Sequence, residues 1–165
     1  MVTTERMEIV PLSDGEMLAL IAGESDPEMR QAYTEMRQLA LAHPEERLWY
    51  TAWQLRLRCG GEAVGDLCFK GLSPAGVVEI GYGMNPAYEG RGLMTEAVKA
   101  MLDWASRQPG VREIQAETDP GNRASQRVLE KAGFRPNGET GKRGLDSAGN
   151  RKITRERLLK GDAPA

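Results

Sequence analysis

Apolar and polar positions alternate along the chain in patterns that predict both helices and strands. The strongest helix pattern runs from Gly92 to about Arg107, because apolar residues recur there three and four positions apart and share one face. Pro109 and Gly110 then end the helix. The strand-like run 77–84 leads through a glycine-containing loop directly into this helix. The chain therefore predicts a strand, a loop and a helix in immediate succession.

Weaker patterns predict the remaining strands. Residues 7–12 alternate weakly and predict a first strand. Residues 49–58 and 63–70 predict a hairpin, and residues 112–118 predict a further strand.

Capping signals mark three more helices. Ser13 and Glu16 form a capping box before a short helix. Asp26, followed by a proline in the first turn, begins a longer helix. Asn122 stands at the N-cap of a helix that runs to about residue 132, and Gly133 follows at its C-terminus.

This order of elements predicts one mixed α/β (α+β) domain over residues 1–165. That length suffices for a full hydrophobic core, and no repeat or linker divides the chain. The segment 139–151 is polar and rich in glycine, which indicates a loop or a hairpin tip. Residues 153–160 fit either a strand or a helix.

Composition narrows the class of protein. A hydrophobic fraction of 40% and a charged fraction of 28% are typical of a soluble globular protein. No apolar run is long enough to span a bilayer, and charged residues interrupt the N-terminus, so we expect a cytoplasmic protein without a membrane partner. The net charge of −2 argues against nucleic acid as the main partner. The sequence leaves a homodimer open.

Cysteine and histidine are too few for a metal site or a disulfide framework. A two-residue turn in the hairpin would pair Cys59 with Glu62 and place Cys68 opposite Trp53. We therefore expect two reduced, buried thiols, no metal, and His43 in a loop.

The loop 85–92 carries the clearest chemical signal. A loop that runs into a helix aims free backbone N–H groups at an anion, and glycines allow the close approach. The helix beginning at Asn122 would lie beside this loop. Together they predict a pyrophosphate site.

Two motifs resemble the GNAT superfamily of N-acetyltransferases. Residues 89–94, Glu-Gly-Arg-Gly-Leu-Met, resemble its acyl-CoA loop. Asn122 and Ser125, followed by Glu-Lys-Ala-Gly-Phe at 130–134, resemble its second conserved helix, and the nearest branch acetylates ribosomal-protein N-termini. Glu89 and Met94 depart from the family pattern, and Glu89 brings a negative charge close to the phosphate site.

The resemblance implies a twisted mixed sheet of about six to seven strands flanked by about four helices. It implies transfer of an acetyl group from acetyl-CoA to a primary amine, on a small molecule or a protein N-terminus, by direct attack in a ternary complex. The cofactor would enter a V-shaped opening at the end of the strand 77–84, and Arg91 would add charge-assisted bonds to a phosphate. The implied cofactor-binding residues are Met84, Glu89, Gly90, Arg91, Gly92, Leu93, Met94, Thr95, Asn122 and Ser125.

Catalytic candidates are fewer. Glu79 is the only ionisable side chain within its strand besides Tyr82, and it shares a face with Gly81 and Gly83, so it is the candidate base. The alternative is a glutamate on a solvated face or in a salt bridge. By resemblance, Ser125 would protonate the CoA thiolate, and a bond to a helix carbonyl is its alternative.

Other residues leave alternatives open. The family often has a tyrosine acid where Leu129 stands, and Tyr82 and Tyr88 are substitutes. Tyr33, Trp49, Tyr50 and Trp53 fit either a cleft or the core. A non-catalytic acyl-CoA sensor is the alternative function, whereas the loop spacing does not match nucleotide-binding fingerprints.

Overall fold

A mixed β-sheet runs through the residues that the computed structural model describes, which are 1–118, 122–136 and 151–156. Its strands are β1 (Val2–Thr3), β2 (Met7–Pro11), β3 (Trp53–Leu57), β4 (Ala63–Leu72), β5 (Val77–Met84), β6 (Glu113–Thr118), β7 (Arg135–Pro136) and β8 (Arg151–Glu156). The helices are α1 (Asp14–Gly23), α2 (Pro27–Ala42), α3 (Leu93–Ser106) and α4 (Arg123–Lys131), with 3₁₀ turns at Pro44–Trp49 and Pro86–Tyr88. None of these helices is long and apolar enough to cross a membrane.

The sheet order is β1-β2-β3-β4-β5-β6-β8-β7, so the predicted sheet is confirmed with two additional strands of two residues each. Among the described strands, only β5 and β6 pair in parallel. Their pairing ends where Ile80 meets Ala116, although β5 continues to Met84 and stays paired with β4 there. The two strands therefore part, and the predicted V-shaped opening is present.

Local signals placed most helix ends correctly. Ser13 Oγ accepts a hydrogen bond from the Glu16 N–H at 3.2 Å, and Glu16 Oε2 accepts one from the Ser13 N–H at 2.8 Å, so the capping box is formed. Gly92 is the N-cap of α3, Asn122 caps α4, and Gly133 has the expected positive φ of 92°.

The main core lies between one face of the sheet and helices α3 and α4. Trp49, Trp53, Phe69 and Trp104 meet there with ring centroids 4.9 to 5.8 Å apart. The core alternative for Trp49 and Trp53 is therefore the one observed. Tyr33 of α2 belongs to a second, smaller cluster.

The predicted β3–β4 hairpin needs correction. Its first strand begins at Trp53 rather than 49, because residues 44–49 form a 3₁₀ turn that buries Trp49. The Leu57 N–H bonds to the Glu62 carbonyl, so the loop is wider than two residues and Trp53 lies opposite Leu67. The predicted register was wrong by one residue.

The wider loop also corrects one cysteine. Cys59 lies in it and is exposed, whereas Cys68 lies within β4 and is partly buried, and both are free thiols. At the other end of the chain, residues 151–156 form a strand, which decides between the alternatives for that part. Of the predicted loop 139–151, residues 139–150 lie outside the described residues.

Candidate active site

A cavity of about 580 Å³ opens between the free end of β5, the N-terminus of α3 and one side of α4. All the predicted cofactor-binding residues line it except Arg91. The structure thus brings together residues from three separate segments of the chain. Their binding roles stay predictions.

Backbone donors dominate the α3 side of this cavity. Gly90 and Gly92 both adopt a φ of 75°, which favours glycine, and Gly92 has no side chain to cap the helix. The N–H groups of Gly92, Leu93, Met94 and Thr95 donate no hydrogen bond within the described part of the chain. Unpaired N–H groups and the positive end of the helix dipole together suit an anion.

The departures from the family pattern have different surroundings. Met94 is buried in the main core while still reaching the cavity wall, so its bulk serves packing. Glu89 is exposed at the cavity rim. The Arg91 guanidinium lies over the Tyr88 ring, 5.1 Å from its centroid, and Arg91 does not line the cavity. Its predicted contact with a phosphate stays a prediction.

Two basic residues on α4 line the site but were not predicted from the sequence. Arg127 and Lys131 stand four positions apart and both line the cavity. Side chains at this spacing share a helix face. The signal was present in the sequence, but it becomes meaningful only when α4 is seen to lie beside α3.

Ser125 has a side-chain partner across the cavity. Its Oγ lies 2.9 Å from the Tyr82 hydroxyl, and the same hydroxyl lies 3.1 Å from the Ser125 carbonyl oxygen. Burial raises the pKa of Tyr82, while the hydrogen bond from Ser125 opposes this rise. Tyr82 is therefore a protonated hydroxyl at neutral pH, and it lines the cavity rather than only packing in the core. Leu129 is fully buried.

Asn122 was predicted both to cap a helix and to bind the cofactor, and the first role is observed. Its Oδ1 accepts a hydrogen bond from the Ser125 N–H at 3.0 Å, which is the helix-cap alternative. The residue also lines the cavity, and its predicted contact with a cofactor stays a prediction.

Glu79 lies on the opposite face of the sheet from the main core. Side chains alternate along β5, with Val78 and Ile80 buried against that core. Glu79 Oε2 lies 3.1 Å from Lys70 Nζ, so the predicted salt-bridge alternative is present. Glu79 does not line the cavity. Its role as a base stays a prediction.

A second carboxylate on this face was missed. Asp66 lies opposite Gly83 in the β4–β5 register, and a Cβ built on Gly83 would stand 3.8 Å from Asp66 Oδ1. The Tyr33 hydroxyl donates a hydrogen bond to Asp66. Burial raises the pKa of Asp66, the hydrogen bond from Tyr33 lowers it, and the nearby Glu24 carboxylate raises it, with a net rise. A correct hairpin register would have placed Asp66 on this face.

Cys68 lies on β4 opposite Gly81 of β5, on the same face of the sheet as Asp66 and Glu79. Burial, and then the negative charge of Asp66, raise the pKa of its thiol to about 11. The thiol is therefore protonated at neutral pH and is a poor nucleophile. Across residues 1–118, 122–136 and 151–156, no three histidine, cysteine or acidic side chains gather in a way that would hold a metal ion.

Comparison with known proteins identifies the family. The profile of the acetyltransferase (GNAT) domain matches residues 6–135. Because this match covers most of the chain, the protein belongs to the GNAT acetyltransferase family.

Individual relatives agree with this family. The probable N-acetyltransferase YjcK of Bacillus subtilis (strain 168) is 46% identical over 59 residues, which are 36% of this chain and 33% of YjcK. The match thus spans about a third of that relative's length. A putative GNAT-family acetyltransferase from Bordetella pertussis superimposes with a TM-score of 0.71 at 22% identity, covering 93% of this chain and 98% of that one.

RimL, a ribosomal-protein N-acetyltransferase solved with coenzyme A, shares the fold with a TM-score of 0.71. Its identity to this chain is 18%, and the alignment covers 95% of this chain and 97% of RimL.

Proposed function

We propose that this chain, as one domain, is an acetyl-CoA-dependent N-acetyltransferase whose acceptor is a primary amine. The observation that carries the proposal is the row of N–H groups from Gly92 to Thr95 at one end of the cavity, which donate no hydrogen bond to any residue that the structure describes. They would hold the pyrophosphate, with Arg127 and Lys131 supplying positive charge for the phosphate groups. Acetyl-CoA is the donor that the family and the coenzyme A complex of RimL support.

The pantetheine arm would lie along the free edge of β5. From Gly81 to Met84, β5 is paired with β4 on one side and has left β6 on the other. An extended arm with amide groups can add to such an edge like another strand. The thioester would then lie near Tyr82 and Ser125, which line the cavity beside that edge.

The reaction follows from this placement. The amine nitrogen attacks the thioester carbonyl carbon, a C–N bond forms, and backbone N–H groups of the free β5 segment stabilise the oxyanion. The C–S bond then breaks and its electron pair leaves with sulfur. The hydroxyl pair of Ser125 and Tyr82 donates the proton to the thiolate.

The acceptor would approach from the face opposite the main core. Glu79 is the proposed base, directly or through water, and it is 23% exposed on that face. Asp66 is the rival base, because it lies beside Gly83 and its raised pKa suits proton acceptance. A small-molecule amine and a protein N-terminus both remain acceptor classes. RimL, which shares the fold, is a ribosomal-protein N-acetyltransferase, and this favours the second class.

The experiment that tests the proposal is a coupled assay of CoA release, run with a panel of polyamines, aminoglycosides and peptides with free N-termini. Release that depends on both acetyl-CoA and one acceptor class supports it. Tight CoA binding without turnover on the panel would instead favour the non-catalytic sensor, to which the Glu79–Lys70 pair and the missing tyrosine at Leu129 point. A cytoplasmic location, a homodimer and the absence of a metal stay predictions.

A further inference from the structure

Arg6 connects the N-terminal strands to the beginning of α3. Its Nη1 donates to the carbonyl oxygen of Arg91 at 2.8 Å, and its Nε donates to Glu96 Oε2 at 2.7 Å. The Arg6 backbone N–H donates to the other Glu96 oxygen at 2.8 Å. The turn before β2 is thus hydrogen-bonded both to the loop before α3 and to the first turn of the helix.

The bond to Arg91 constrains the peptide unit that matters most for an anion. The Arg91 carbonyl and the Gly92 N–H belong to the same peptide, and none of the described peptide bonds is cis. In a trans peptide these two groups point in opposite directions. A guanidinium that holds the carbonyl from outside therefore holds the N–H of Gly92, which lines the cavity, toward the inside. The charged bond also polarises the peptide and strengthens that donor.

The bonds to Glu96 remove a repulsion at the same place. Glu96 lies in the first turn of α3, close to where phosphate groups would bind. Burial raises its pKa, but hydrogen bonds from Thr4 and Arg6 outweigh burial and lower it, so the carboxylate is ionised. A Cβ built on Gly92 would stand 3.5 Å from Arg6 Nη2, which shows that the guanidinium packs directly on the helix cap.

We infer that Arg6 is a positioning residue of the pyrophosphate site, which it orients through the Arg91–Gly92 peptide while neutralising Glu96. This inference rests on the proposed acyl-CoA function. It assigns a role in the binding site to the segment before β2. Without the guanidinium, the Arg91 carbonyl loses this partner, and Glu96 keeps only the neutral hydrogen bonds from Thr4 and the Arg6 N–H, so its negative charge near the helix N-terminus is no longer neutralised.

The test compares Arg6→Ala with Arg58→Ala. Arg58 is a matched control, because its Nη1 donates to the Thr4 and Glu5 carbonyls of the same turn, at 3.4 and 3.2 Å, and within the described part of the chain its side chain makes no hydrogen bond or ion pair with the α3 loop. Arg6→Ala is expected to raise the calorimetric Kd for CoA by about tenfold, while Arg58→Ala leaves it unchanged. Arg6→Lys recovers part of the loss, because an ammonium group makes only one of the two side-chain contacts.

A truncated donor separates positioning from general damage. S-acetylpantetheine lacks the pyrophosphate, so its Kd by NMR titration is expected to be the same for wild type and Arg6→Ala. An equal loss with both ligands, or an unchanged CoA Kd in Arg6→Ala, overturns the inference. If Arg6→Ala fails to fold, Arg6→Lys carries the same comparison. A wild-type protein that does not bind CoA would refute the proposed function itself, which is a distinct result.

Discussion

The two ends of the candidate site are built from different chemistry. At the N-terminus of α3 the donors are backbone N–H groups, presented by glycines and by a helix without a side-chain cap. At the free end of β5 the reactive groups are side chains, and each depends on a partner from another element, as Tyr82 does on Ser125 and Asp66 on Tyr33. A backbone-built site tolerates changes of side chain, whereas a side-chain-built site is sensitive to register. The following experiments probe this difference, from the largest expected effect to the smallest.

The hydroxyl pair is the most sensitive point of the side-chain end. Tyr82→Phe combined with Ser125→Ala removes both proton donors, and we expect kcat to fall by about 10²- to 10³-fold with little change in the Kd for CoA. Steady-state kinetics measure the first quantity and calorimetry the second. Tyr50→Phe is the matched control, because Tyr50 stacks on His43 and lies outside the cavity lining. A double variant with wild-type kcat would remove this pair from the mechanism.

The backbone end has its own sensitive point at Gly92. A branched residue at a φ of 75° forces the loop to change conformation, so Gly92→Val should raise the Kd for CoA by about a hundredfold. Gly61→Val is the control, since Gly61 has a similar φ of 72° in the β3–β4 loop. That variant should lose stability but keep its CoA affinity. Normal CoA affinity in Gly92→Val would show that the loop backbone does not form the site.

The two carboxylates on the acceptor face compete for one role. If Glu79 is the base, Glu79→Gln should lower kcat by about tenfold or more and remove the acidic limb of the pH–rate profile, which Asp66→Asn should retain. Lys70→Met is the control, because it breaks the Glu79 salt bridge without removing a carboxylate. The reverse pattern would assign the base to Asp66. An unchanged profile in both variants would exclude both residues.

The pH dependence of the melting temperature should show the destabilising effect of a buried, ionised Asp66. Its folded-state pKa lies above the ordinary value of 3.8, so its contribution to stability is fully present at lower pH and is lost as the pH rises through the folded-state pKa. The melting temperature of Asp66→Asn relative to wild type should therefore rise by a few degrees between pH 4 and pH 7. A relative melting temperature that falls over this range would mean that the ionised carboxylate is stabilised in the fold.

The same contrast explains what could be predicted from the sequence. The strand 77–84, the start of α3 and the cap at Asn122 follow from local signals, and the backbone end of the site is made of them. The hydrogen bonds of Tyr82 to Ser125 and of Tyr33 to Asp66 join residues 43 and 33 positions apart. Such contacts depend on loop lengths and strand register. Because the β3–β4 loop is wider than predicted, the predicted register did not show that Asp66 lies on the same face as Glu79.

The hydrogen bonds of Arg6 to Arg91 and Glu96 could not be predicted either, because they too join residues far apart in the sequence. Its partners lie 85 and 90 positions further along the chain. Neither the hydrophobic pattern nor the loop motif relates a turn before β2 to the N-terminus of α3. Only the packing of the N-terminal strands beside the helix brings them together.

The most direct test of the central claim is a calorimetric titration of the wild-type protein with CoA and acetyl-CoA, with ATP and NAD as comparison ligands. We predict saturable binding of both CoA forms at one site. At about 100 times its Kd, either CoA form should stabilise the fold by roughly 2.7 kcal/mol, and ATP and NAD should bind far more weakly. No binding of either CoA form, or equal binding of ATP, would contradict a pyrophosphate site specific for acyl-CoA at the N-terminus of α3.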